Sequence, residues 1–140
     1  GNLGAPTGGL AFINGGTLEL RQQAAAGAVA TRNFNVNVDT PAFDDLWITS
    51  AIADGSAASF ANIAKNNGGF SRLTFESANT YSGTTTIASG ALQAIDGVGL
   101  PTTSNLYLSG GALQSSATFT RSLPLFISSG FASPTTSFPG

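Results

Sequence analysis

The chain has 140 residues, 41% of them hydrophobic and only 9% charged, with 18 glycines, ten phenylalanines and a formal net charge of −2. That length suffices for one domain with its own core, and so many aromatic residues argue against disorder. No basic run is present, which excludes nucleic acid and anionic membrane surfaces as partners, and the absence of Cys and His excludes disulfides, thiolate metal sites and histidine-based catalysis, so no cofactor is expected.

In chain order, residues 3–20 end in Leu18 and Leu20, alternating around Glu19 after the Gly15-Gly16 pair, which reads as a corner leading into a short strand. Residues 21–31 (RQQAAAGAVAT) are the one stretch that favours helix, and a glycine and its brevity make that helix marginal. Phe34, Val36 and Val38 then alternate with Asn33, Asn35, Asn37 and Asp39, which predicts a strand with an apolar inner face and an outer ladder of amides. Leu73 and Phe75, set between Arg72, Thr74 and Glu76, repeat the pattern, and Leu106 with Leu108 does so again. Ser82-Gly83, Ser89-Gly90 and Gly110-Gly111 supply further corners, and the Phe residues are expected to form core ladders. Neither residues 24–30 nor residues 123–127 approach the roughly 18 apolar residues that span a bilayer, so this segment is not expected to insert in a membrane.

The chain repeats itself at two periods. Residues 3–20 align without gaps on residues 98–115, with identities at Gly4/Gly99, Pro6/Pro101, Thr7/Thr102, Gly15/Gly110, Gly16/Gly111 and Leu18/Leu113. Inside that longer period, residues 87–93 (IASGALQ) match residues 108–114 (LSGGALQ) at an offset of 21, and residues 13–19 (INGGTLE) are a third copy. A unit of about 21 residues suits one coil of a solenoid whose short strands pair with those one coil away. Residues 1–140 are therefore expected to form a single all-β module, a parallel β-helix of about six to seven coils. At ~4.8 Å per coil the rod would be about 30 Å long. The lack of any Met and the renewed cycle after residue 123 read as marks of a piece of a longer repetitive protein.

Residues 63–95 closely resemble the autotransporter-associated β-strand repeat, also called the passenger-associated transport repeat. The resemblance lies in Leu73-Thr74-Phe75, Ser77-Ala78-Asn79-Thr80-Tyr81-Ser82-Gly83, Thr84-Thr85-Thr86-Ile87 and Gly90-Ala91-Leu92-Gln93. Residues 3–20 and Arg32-Asn33-Phe34-Asn35-Val36 are similar to the family's flanking segments, and residues 41–61 are the least similar part. The resemblance implies a right-handed parallel β-helix, export to the bacterial outer surface or the medium, and a role as stalk, adhesin or spacer.

Three functional readings follow. The first is a non-enzymatic structural or adhesive surface module, with neighbouring repeats as its partners. The second is a filament subunit stacking end to end on copies of itself. The third is a polysaccharide-binding or polysaccharide-degrading β-helix, for which Asp44-Asp45 is the sole adjacent carboxylate pair. Neighbouring strand residues face opposite ways, so a solvated turn explains that pair better than a catalytic dyad. Trp47, Tyr81 and Tyr107 are the candidate surface-contact residues, since an aromatic face stacks on a sugar ring of a host or biofilm glycan, with core packing as the competing explanation. Residues 21–31 are about six residues longer than their counterpart, residues 116–120, and such insertions project from one face of a solenoid, often the binding face.

Overall fold

The computed structural model describes residues 11–20, 29–36, 46–55, 60–66, 71–118 and 125–127. These form strands β1 (Ala11–Ile13), β2 (Thr17–Leu20), β3 (Thr31–Asn35), β4 (Leu46–Ile48), β5 (Ala51–Asp54) and β6 (Asn62–Asn66), followed by β7 (Arg72–Phe75), β8 (Thr85–Ile87), β9 (Ala91–Ala94), β10 (Leu106–Leu108), β11 (Ala112–Gln114) and β12 (Leu125–Ile127). No helix occurs among the described residues, so none there is long and apolar enough to cross a membrane.

Every strand pair is parallel. A first sheet has the order β1-β4-β7-β9-β11, a second β3-β6-β8-β10-β12, and a third joins β2 to β5. Parallel neighbours need a long crossover, and here the crossover is the rest of the coil: the chain leaves the first sheet, passes through the second and returns one level on. The arrangement is all-β and compatible with a parallel β-helix.

The alternation read in the sequence decides what each sheet buries. In the first sheet Leu46, Leu73, Leu92 and Leu113 are in register as one inward column, with Ile48, Phe75 and Ala94 as a second. Leu73, Leu92 and Ile48 are fully buried, and Phe75 and Ala94 nearly so. The second sheet turns Ile63, Thr85 and Leu106 inward in one column, and Phe34, Lys65, Ile87 and Leu108 in the next. Phe34 meets Phe75 edge to face with ring centroids 6.1 Å apart, joining the two sheets through the core. The expected amide ladder is present in part: Asn33 and Asn35 are exposed, and Asn66 Nδ2 donates to Asn33 Oδ1 at 2.9 Å across one coil. Asn37 lies outside the described residues.

The 21-residue offset is reproduced by the pairing itself. Ile87 is in register with Leu108, Ala91 with Ala112, Leu92 with Leu113 and Gln93 with Gln114. Gly90 and Gly110, one position apart in this alignment, lie in the corners before Ala91 and Ala112 with φ of 69° and 143°. A Cβ on Gly110 would lie 2.6 Å from the Ala88 carbonyl oxygen, so both conformation and space demand glycine there.

The period is not uniform. Ala11 pairs with Leu46 and Leu46 with Leu73, offsets of 35 and 27, before Leu73 pairs with Leu92 at 19. The described residues accordingly hold five strand levels in each of the two large sheets, where a constant 21 over the whole chain leads to six or seven. The 95-residue alignment also acquires a different meaning: β1 is in the first sheet while its aligned partner β10 is in the second. The shared Gly-Gly motif therefore marks corners of two kinds. Of the Phe residues whose side chains are described, Phe75 is buried and Phe34 half-buried, whereas Phe12 and Phe60 are exposed, so these four do not form a core ladder; the other Phe side chains lie outside those described. Of the candidate insertion, residues 21–31, residues 21–28 lie outside the described residues, and Thr31 opens β3.

Candidate functional site

Between β7 and β8 the chain turns through residues 76–84, which include Ser77-Ala78-Asn79-Thr80-Tyr81-Ser82-Gly83. No named strand forms on this side of the coil, so the backbone groups of the level before it, which includes β5, must find other partners. The motif supplies them residue by residue. Glu76 N–H donates to the Ile48 carbonyl at 3.1 Å, and the Ser77 hydroxyl to the carbonyl of Thr49. Asn79 Oδ1 accepts from Ile52 N–H at 2.8 Å while Thr80 N–H donates to the Ile52 carbonyl at 2.8 Å, so the amide side chain completes a ladder rung that a strand would otherwise make.

Asn79 also reaches the following level. Its Nδ2 donates to the Gly99 carbonyl at 2.8 Å and its backbone N–H to the Val98 carbonyl at 2.9 Å. One buried amide thereby ties three successive coils together. An unmade hydrogen bond on a buried donor or acceptor costs about 1–3 kcal/mol, so loss of this side chain strands two backbone groups at once.

The rest of the motif fixes the same corner. Tyr81 is fully buried, its hydroxyl shares a hydrogen bond with Thr85 Oγ1 at 2.8 Å, and Thr85 Oγ1 is 2.9 Å from Ser104 Oγ on the next coil. This chain of hydroxyls explains how Thr85 occupies an inward column otherwise held by Ile63 and Leu106. Ser82 donates from both N–H and hydroxyl to Asp54 Oδ2, at 3.0 and 2.6 Å. Gly83 runs so close to the preceding coil that a Cβ would lie 2.0 Å from the Ala61 carbonyl oxygen. Thr84 N–H then donates to Asn62 Oδ1 at 2.9 Å, and the Thr84 carbonyl accepts from Ile63 N–H at 2.8 Å.

A second polar fastening sits at the corner between β6 and β7. Lys65 occupies a core position, fully buried, and its Nζ donates to Ser71 Oγ at 2.8 Å, the Asn66 carbonyl at 3.1 Å and the Ser89 carbonyl at 3.3 Å. Ser71 is equally buried. A Ser-Lys pair at this distance has the geometry of a nucleophile and base, but complete burial closes it to a substrate, and its bond to Ser89 serves to link successive coils.

The three candidate contact residues do not converge. Tyr81 is a correction: it lies within the core hydroxyl chain and is closed to a surface ligand. Tyr107 is half-buried on the second sheet, in register with Thr86. Trp47 is half-buried on the first sheet, in register with Phe12 and Thr74. Asp44 and Asp45 lie outside the described residues, and no cluster of three or more acidic metal-ligating side chains occurs among those described. The coil-coupling role of Asn79 was not legible as such. Its signal was an amide in the middle of a corner motif, away from the exposed ladder of Asn33 and Asn35.

Residues 69–94, which span β7, this corner, β8 and β9, match the family model described as Passenger-associated-transport-repeat. No curated protein and no solved structure matches the chain.

Proposed function

We propose, from the passenger-associated transport repeat that residues 69–94 carry, that residues 1–140 are one structural module of an autotransporter-like passenger, exported and displayed at the bacterial surface. The module is a right-handed parallel β-solenoid, the hand that crossovers between parallel strands take almost without exception. Its task is mechanical: to extend a rigid stalk or adhesive surface rather than to catalyse a reaction. The single observation that supports this most is that the matched repeat spends its polar residues on coupling one coil to the next, with Asn79 bonded to Ile52 and to Gly99. Neighbouring solenoid repeats are its partners.

The test is to place the chain between an export signal and an outer-membrane barrel and to treat intact cells with an external protease. Cleavage of a surface-exposed, folded chain supports the reading. Retention in the periplasm with rapid degradation contradicts it.

End-to-end assembly is a second reading, favoured by the first coil. All three residues of β1 are exposed, and β1 and β11 each end the first sheet among the described residues. Such edges are templates for pairing with another chain. Sedimentation at increasing concentration separates the two readings: growth into long particles supports assembly, and a constant monomer mass opposes it.

A further inference from the structure

Beside the coil-coupling corner, the first sheet carries a groove of about 220 Å³ lined by Trp47, Thr74, Glu76, Gln93, Ile95 and Ser116. Strand register sets its chemistry: Phe12, Trp47, Thr74, Gln93 and Gln114 follow one another in a single column across five levels. At the lower end Phe12, 57% exposed, stacks on Trp47 with centroids 5.9 Å apart and rings 21° from parallel. Above that apolar platform come a hydroxyl and two carboxamides, spaced at ~4.8 Å by the sheet. Arg72 Nη1 donates to Gln114 Oε1 at 3.3 Å, holding the last amide in place.

Two polar atoms in this groove's wall have no hydrogen-bond partner among the described residues: Trp47 Nε1 and Thr74 Oγ1, both buried. Thr74 retains only 8% exposure although its column is the outer one. The Thr74 hydroxyl has no internal hydrogen bond to lose when its proton turns toward an incoming oxygen.

We infer that this groove is a subsite for a neutral saccharide, with one sugar ring stacked on the Trp47 platform and its hydroxyls meeting Thr74 Oγ1 and the Gln93 amide. A sugar ring offers an apolar C–H face together with a rim of hydroxyls, which is what an aromatic face followed by uncharged donors and acceptors recognises. The volume is below the ~300–1,000 Å³ of pockets that enclose drug-sized ligands, so it takes one ring while further rings run along the Thr74–Gln93–Gln114 column. An acidic sugar is disfavoured at the stacked ring because Glu76 is the charged residue lining the groove, while Arg72 stands at the far end of the column on Gln114. The inference stands on sheet register and holds whether or not the chain is exported.

Trp47 is the chain's single tryptophan, so its fluorescence reports this site alone. The whole chain is titrated with cellohexaose, β-1,4-mannohexaose and β-1,4-galactohexaose, with a hexagalacturonate and hexa-alanine as competitors of other chemistry. The expected result is a saturable change with at least one neutral hexasaccharide, at least roughly tenfold weaker with the uronate and the peptide. Thr74→Val and Gln93→Ala are each expected to weaken that binding about three- to tenfold with an unchanged circular dichroism spectrum. No saturable change with any neutral hexasaccharide up to about 10 mM overturns the inference. So does equal binding of the uronate or the peptide, or unaltered affinity in both variants.

Discussion

The levels up to β6 and those after it solve the same problem in different ways. In the early coils the third side is a backbone ladder: β2 and β5 pair over four residues, Thr17 with Ala51 through Leu20 with Asp54, and the coil between them takes 34 residues. In the next coil that side has no named strand, and Asn79 with Thr80 binds Ile52 instead, while the inward leucine column advances only 19 residues from Leu73 to Leu92. A single buried amide replaces a strand, and the coil shortens. The difference teaches that the compact repeat depends on side-chain hydrogen bonds where the longer coils depend on backbone pairing.

Five substitutions break or sharpen that contrast. Gly83→Val has the largest expected effect, because a side chain cannot share space with the Ala61 carbonyl; the two coils must part, and denaturant unfolding should show a loss of about 4 kcal/mol or no folded protein. Leu92→Ala removes a fully buried link of the inward column and should cost about 3 kcal/mol, whereas Leu18→Ala, at a half-buried position of the early ladder, should cost clearly less in the same assay. Asn79→Ala should cost about 2–3 kcal/mol by leaving Ile52 N–H and the Gly99 carbonyl unpaired. Tyr81→Phe keeps the ring and removes one member of the hydroxyl chain to Thr85 and Ser104, for an expected loss of about 1 kcal/mol.

The framework of the coils could be read from the residues alone, and the contrast between them could not. The alternation of Leu73 and Phe75, the corner glycines and the offset of 21 between residues 87–93 and 108–114 are local, and local signals survive folding intact. What escaped notice depended on register, which no single segment encodes. Thr74 reads as an outward polar residue yet is buried beside Trp47. Lys65 fills a core column although it carries a charge, because Ser71 and the carbonyls of Asn66 and Ser89 surround its amine. Tyr81 carries the polar handle of a surface aromatic, but that handle is consumed by Thr85 inside the coil. The early coil lengths were hidden for the same reason: residues 41–61 resemble the repeat least, so no period could be carried back through them.

The central claim, that Asn79 does the work of a missing strand, is tested most directly by amide hydrogen exchange at Ile52. In the unaltered chain the Ile52 amide should be strongly protected. In Asn79→Ala it should lose protection selectively, while the Ile63 amide, bonded to the Thr84 carbonyl, stays protected. Unchanged protection at Ile52 after that substitution would contradict the account.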